Sequence, residues 1–413
     1  MTAAGFFLGL SILGFALSLA TLLRIRIAGA LLVPTFFVGW LRGELALQTI
    51  ALEALVTAGF LALGVYRETP GQIGLALTIL SWAILLAGHL RSLRAGRVLA
   101  EALAPLGIVP DAAVSPWHGA LRPFAFADPA VRALRDLEYG PALPGDKGGR
   151  NRLDLYRPAD ARSGDRRPVL LQVHGGAWIL GDKREQGRPL MSHLAARGWI
   201  CAASNYRLSP AATMPDQIVD VKRALAWLRA HVAEYGGDPD FICITGGSAG
   251  GHLSSLAALT AGDPRFQPGF ESVDTRVEAC VPFYGVFDFL DRAGDRRFAK
   301  MADALGPLIF KCRPDEDYAL WDAVCPVSRV HADAPPFFVI QGSHDSLVFS
   351  EEADRFVGLL RETSRSPVAH AELPGAQHAF EVFHSPRSAH AVRAATAFLE
   401  WVHAGAQGRR AAR

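Results

Sequence analysis

The chain has 413 residues, of which 50% are hydrophobic and 20% charged, with a net charge of +2. No Lys/Arg patch interleaved with aromatics occurs, which argues against nucleic acid as a partner. The five cysteines, Cys201, Cys243, Cys280, Cys312 and Cys325, are odd in number and lack C-x-x-C or metal-finger spacing, so neither a disulfide framework nor a zinc site is expected.

The apolar residues are unevenly spread. Residues 1–100 carry only Arg24, Arg26, Arg42, Glu44, Glu53, Arg67, Glu68, Arg91, Arg94 and Arg97 as charges. Four apolar runs lie between them: Gly5–Leu23, Ile27–Leu41, Leu45–Tyr66 and Gln72–Leu90. Three reach the roughly 20 residues a helix needs to cross a hydrocarbon core. The second is shorter, contains Pro34, and reads as re-entrant, interfacial or paired with the first. The region 1–100 is therefore expected to be a multi-pass transmembrane helical region of three or four spans. Arg91, Arg94 and Arg97 follow the last run, and with three spans the Arg24/Arg26/Arg42 loop falls on the same side, which puts the rest of the chain in the cytoplasm. Glu53 sits inside the third run, where a charge is costly; it reads either as a functional group, such as part of a transport path, or as a Glu hydrogen-bonded to polar neighbours such as Gln48.

Residues 101–149 are broken by Pro105, Pro110, Pro116, Pro123, Pro129, Pro141 and Pro144 and read as a connector. From 150 to 413, strand-like and helix-like stretches alternate. "RLDLYRP", "PVLLQVHGG", "WICAASNYRL", "FICITGG", "VEACVPFYGV", "PFFVIQGSHD" and "AHAELPGAQH" are the strands. Helices are expected near Pro189–Arg197, Pro215–Glu234, Glu351–Thr363 and Ser388–His403. The pattern predicts an α/β fold with a mainly parallel, doubly wound sheet and chemistry at the carboxyl ends of its strands. Residues 288–324 break the alternation and are expected to form a helical cap insertion.

Four strand ends carry chemistry. After "FICIT", Gly246-x-Ser248-x-Gly250 has the spacing of a nucleophile elbow, in which small flanking residues permit a sharp strand-to-helix turn. After "VLLQV", the loop "HGGAW" offers Gly175, Gly176 and Ala177 as oxyanion-hole donors, joined by the N–H of Ala249. Asp345 ends "VIQGSHD" and could orient a histidine or cap a turn. His378, after "AHAEL", is the candidate base. The order Ser248, Asp345, His378 is that of α/β-hydrolases. Among the other histidines, His174, His252 and His344 adjoin other motifs, and His384 is the one rival.

On these residues the segment from Asp154 to about His403 resembles the α/β-hydrolase esterases and lipases related to hormone-sensitive lipase and arylacetamide deacetylase. "HGGAW", "GGSAGG" and "YRLSP" (Tyr206–Pro210) stand where that family usually has HGGG, GDSAGG and YRLAP. Ala177 and Gly247 depart from the pattern. "HGGAWILGDK" and the small residue before Ser248 are also similar to isoprenylcysteine methylesterases and arylformamidases. The resemblance implies a serine carboxylic ester hydrolase acting on a small-molecule or lipid ester through an acyl-enzyme, with Ser248 acylated, His378 as base, Asp345 orienting it, and no metal or organic cofactor. Membrane-anchored members exist among such esterases, which fits the membrane partner expected from residues 1–100. An arylformamidase or amidase, and a catalytically silent interaction module, are the alternatives; an intact set of Ser248, Asp345, His378 and "HGG" speaks against the last. Phe287, Phe289, Leu290, Phe310 and Trp321 would line an acyl pocket or form the insertion's own core.

Overall fold

In the computed structural model, the described residues are 2–24, 31–111, 113–294, 303 and 306–411. Arg26, the start of the second apolar run and part of the insertion lie outside them. Eight strands form one sheet in the order β1-β2-β4-β3-β5-β6-β7-β8. They are β1 (Val131–Glu138), β2 (Arg152–Pro158), β3 (Arg167–Val173), β4 (Ile200–Ser204), β5 (Gly237–Gly247), β6 (Cys280–Phe283), β7 (Phe337–Gly342) and β8 (Val368–Leu373). β1 and β2 pair antiparallel, as do β2 and β4, and all other pairs are parallel.

Alternation along each strand splits the core into two layers, because successive side chains point to opposite faces. Val169, Leu171 and Val173 of β3 join Ile242 and Ile244 of β5 on one face, where α7 (Asp216–His231), α8 (Ala249–Leu259) and the helix Ser350–Thr363 cover them. Leu170, Cys201, Cys243 and Val281 face the other way, under α6 (Arg188–Ala196) and the C-terminal helix Pro386–Ala411. The Cys243 and Cys280 thiols are core groups, and burial pushes both up. All five cysteines are free.

Residues 101–149 do not behave as a plain connector, because they contain β1. Its strand pattern is hidden because it is a largely exposed edge with a register shift between Leu134 and Leu137, so no period-two apolar face is needed. Nor does the sheet domain stop at residue 150. Helix α5 (Ala95–Leu103) buries Ala95, Leu99 and Leu103 in the same layer as the C-terminal helix.

The N-terminal helices are α1 (Ala3–Ala20), α2 (Leu32–Glu44), α3 (Ala46–Ala62) and α4 (Thr69–Ser92). Ala3–Ala20 and the stretch Thr69–Leu106 are long and apolar enough to cross a membrane. The α2/α3 pair bends by 91° and counts as a third span only if taken together. By length and composition, two spans, or three with the bent pair taken as one, are available among the described residues, beside the expected three or four. Glu53 is held by the bundle: Arg42 Nη2 donates to its Oε1 at 2.7 Å and Trp82 Nε1 to its Oε2 at 3.1 Å. Pairing of this kind offsets the cost of a charge at depth. Gln48 is not its partner; that amide donates to Gly119 and Ala120 carbonyls.

Candidate active site

Ser248 sits between β5 and α8 at φ 58° and ψ −121°, a conformation costing about 1–3 kcal/mol for a non-glycine residue. The turn is possible because a Cβ on Gly250 would lie 2.1 Å from the Val173 carbonyl oxygen, so only glycine lets α8 start against the end of β3. That contact brings the "HGGAW" loop beside the serine.

The departure at Gly247 has a steric cause. A Cβ there would stand 2.6 Å from the Tyr284 hydroxyl. Tyr284, just past β6, fills the space beside the elbow, and its ring lies 4.5 Å from the His378 ring. The Tyr284 hydroxyl donates to the buried Glu381 carboxyl, which burial pushes up. Sequence reasoning missed this pair, because nothing in "PFYGV" distinguishes Tyr284 from a core aromatic.

His378 and Asp345 are brought together as expected. The two are buried, and His378 Nδ1 lies 2.7 Å from Asp345 Oδ2. Asp345 also accepts from Leu347 N–H at 2.9 Å, Val348 N–H at 2.8 Å and Gln341 Nε2 at 3.1 Å. Gln377 ties the two loops, its Oε1 accepting from Ser346 N–H at 2.7 Å and His378 N–H at 2.9 Å. Among the described residues no hydrogen bond joins Ser248 Oγ to His378. The rival His384 is turned away, with Nε2 3.1 Å from the Ala125 carbonyl oxygen.

Of the expected oxyanion donors, Gly175 drops out, since its N–H donates to Gln186 Oε1 at 2.7 Å. Gly176, Ala177 and Ala249 keep N–H groups without an acceptor among the described residues. Ala177 and Trp178 take up φ of 52° and 60°, so alanine serves at the third glycine position at the cost of left-handed strain. Phe289, Phe310 and Trp321 pack on one another, Phe310 stacking on Trp321 at 3.7 Å, while Phe287 stacks on Phe356 of the helix Ser350–Thr363 at 4.2 Å; all four are buried in the core layer of α7 and α8. Leu290 is half-buried against the same cluster. Among the described residues, no group of three or more His, Cys, Asp or Glu side chains is placed to hold a metal.

Two buried histidines support the loops. His252 on α8 accepts from Trp178 Nε1 at 3.2 Å and faces the Val324 carbonyl oxygen with Nε2 at 2.8 Å. His174 stacks on Tyr206 at 4.3 Å. Burial lowers each to about 4. An unfolded histidine binds its proton near pH 6.5. Between pH 6.5 and 4 the unfolded state thus takes up protons that the folded state refuses, and stability is lost as pH falls through this window, by up to about 1.4 kcal/mol per pH unit per histidine. His252→Gln, which keeps an acceptor for Trp178 and a donor for Val324, is expected to flatten the fall in melting temperature between pH 7 and pH 4.5. An unaltered slope would exclude His252 as a contributor.

A parallel-centred eight-stranded sheet, a strained serine at the turn after β5 and an Asp–His pair after β7 and β8 define an α/β-hydrolase. The model of the BD-FAE family matches residues 153–360. The chain is 46% identical over 381 residues to the probable carboxylic ester hydrolase LipM of Mycobacterium tuberculosis, covering 90% of this chain and 87% of that protein. It is 40% identical to esterase LipQ of the same organism, covering 93% and 89%. Among solved structures, esterase 2 of Thermogutta terrifontis superposes with a TM-score of 0.50 at 25% identity, over 66% of this chain and 92% of that one. The chain belongs to the BD-FAE family and, with these relatives, to the α/β-hydrolase esterases.

Proposed function

We propose that the protein is a membrane-anchored serine hydrolase that cleaves lipophilic acyl esters through an acyl-enzyme. The observation that carries this reading is Ser248 in its strained turn, set on the same sheet edge as the His378–Asp345 pair. Ser248 Oγ attacks the ester carbonyl as His378 Nε2 takes its proton, and Asp345 holds the imidazole with Nδ1–H inward. The oxyanion meets the N–H groups of Gly176, Ala177 and Ala249. The alcohol leaves with the proton from His378, and a water deprotonated by the same nitrogen releases the acid. Tyr284 and Gln377 are positioning residues for His378.

Helices α1 to α4 form the membrane region, and the rest, from α5 on with the insertion at 288–324, forms the hydrolase part. In this reading α1 and α4 cross the bilayer, the bent α2/α3 pair counts as the third span, and α2 runs from it onto the hydrolase surface. Phe7 near the start of α1 packs on Phe60 near the end of α3 at 5.1 Å, while Gln48 at the start of α3 reaches the connector. Arg24, Arg42, Arg91, Arg94 and Arg97 then share the hydrolase side, which supports a cytoplasmic hydrolase part.

The acyl-enzyme is tested by mixing the detergent-solubilised protein with a p-nitrophenyl ester, quenching in acid and weighing its peptides. An acyl mass increment is expected on the peptide holding Ser248; turnover with no adduct on that peptide at any quench time would contradict the covalent route. The anchor is tested by alkaline carbonate washing, from which the protein is expected to stay with the membrane pellet.

A further inference from the structure

Helix α2 does not stop at the membrane region. Its Trp40 Nε1 donates to the carbonyl oxygen of Ala379, the residue after His378, at 2.8 Å. Gly39 packs on Gln377, where a Cβ would come 3.0 Å from the side-chain amide nitrogen. Phe36, one turn back, sets its ring edge-on to the His378 imidazole with centroids 5.9 Å apart. Phe36 is fixed from behind, because Trp40 stacks between it, at 5.3 Å, and Phe383, at 4.8 Å. The neighbouring face, with Val33, Phe37 and Leu41, is exposed. The helix that touches the catalytic loop therefore also shows an apolar surface to its surroundings.

The chemistry decides which part of an ester meets this helix. When the tetrahedral adduct collapses, the C–O bond to the alcohol breaks, and the proton taken from Ser248 passes from His378 Nε2 to the departing oxygen. That oxygen must lie within hydrogen-bond reach of His378, so the alcohol's carbon chain begins beside the imidazole. The aromatic group that flanks the imidazole from the membrane region is Phe36. Resting on the proposed function above, we propose that α2 is the alcohol-side wall of the cleft, with Phe36 contacting the lipophilic alcohol moiety of the ester.

The test uses the full-length protein in detergent and two ester series. In one, butyrate is joined to methyl, butyl, hexyl and octyl alcohols, whose similar acidity keeps the leaving-group chemistry constant. In the other, p-nitrophenol is joined to acyl groups of rising length. Phe36→Ala is expected to lower the octyl-to-methyl ratio of kcat/KM by roughly tenfold, while the shape of the acyl series holds. Phe36→Leu is expected to restore most of the ratio. A ratio indifferent to Phe36→Ala overturns the proposal, and so does a shift confined to the acyl series. Should the alanine variant fail to fold, Phe36→Leu and Phe36→Trp are read the same way, and a ratio that ignores the size of residue 36 overturns it. Hydrolysis that depends on Ser248 but not on Phe36 removes only the wall; absence of any Ser248-dependent hydrolysis removes the proposed function as well.

Discussion

Ser248→Ala is expected to lower kcat on every ester by about 10³-fold or more, with KM little changed, because the variant loses the group that forms the covalent bond in the proposed mechanism. Asp345→Asn is expected to cost a loss on the order of 10²- to 10⁴-fold by a different route. Asp345 Oδ1 accepts from the N–H groups of Leu347 and Val348, while Oδ2 faces His378 Nδ1. An asparagine would keep its oxygen on the two backbone donors and turn its NH₂ toward His378. Nδ1 would then have to accept, the proton would move to Nε2, and in the proposed mechanism that nitrogen could no longer act as a base. The two variants are separated by acyl trapping in a rapid quench: the asparagine variant should still form the adduct slowly, the alanine variant not at all. Equal activity of wild type and Ser248→Ala on all substrates would remove the triad from the mechanism.

Much of this site can be read along the chain because each role requires a residue type at a strand end, and the strands of a parallel sheet are apolar on both faces. "VLLQV", "FICIT" and "FFVIQ" are such runs; the loops after the first two meet at Gly175 and Ser248, and Asp345 after the third meets His378. What resists reading has spatial causes. The glycine before Ser248 looks like a lost acid until Tyr284 is seen in its place. The insertion's aromatics have pocket-like composition, yet each is satisfied by another member of the cluster, as Phe310 is by Trp321. The Gly175 N–H looks free until Gln186, eleven residues on, folds back to it. Least readable is the contact between the N-terminal helices and the His378 loop. Trp40 and Ala379 are separated by 339 residues, and no local pattern could link them.

Glu44→Ala is expected to loosen that link and to destabilise the protein by about 3–5 kcal/mol. At the C-terminal end of α2, Glu44 is buried and paired with Arg387, and its Oε2 accepts from Ser385 Oγ at 2.8 Å. Arg387 opens the C-terminal helix and is itself buried. Removing the acid leaves a guanidinium in a site shaped for a pair, and an uncompensated buried charge is what makes breaking such pairs expensive. Replacing both partners with apolar residues, Glu44→Leu with Arg387→Met, is expected to recover most of the loss, because the desolvation cost disappears with both charges. The measurement is thermal inactivation of ester hydrolysis in detergent: a midpoint lowered by several degrees for Glu44→Ala and largely restored in the double variant. Since Glu44 lies one turn beyond Trp40, the single variant should also release α2 from the His378 loop, so activity should fall before the sheet melts. Coincident loss of activity and of sheet structure by circular dichroism would mean that α2 and the hydrolase part unfold as one unit, and that the ion pair holds the whole assembly rather than the helix alone.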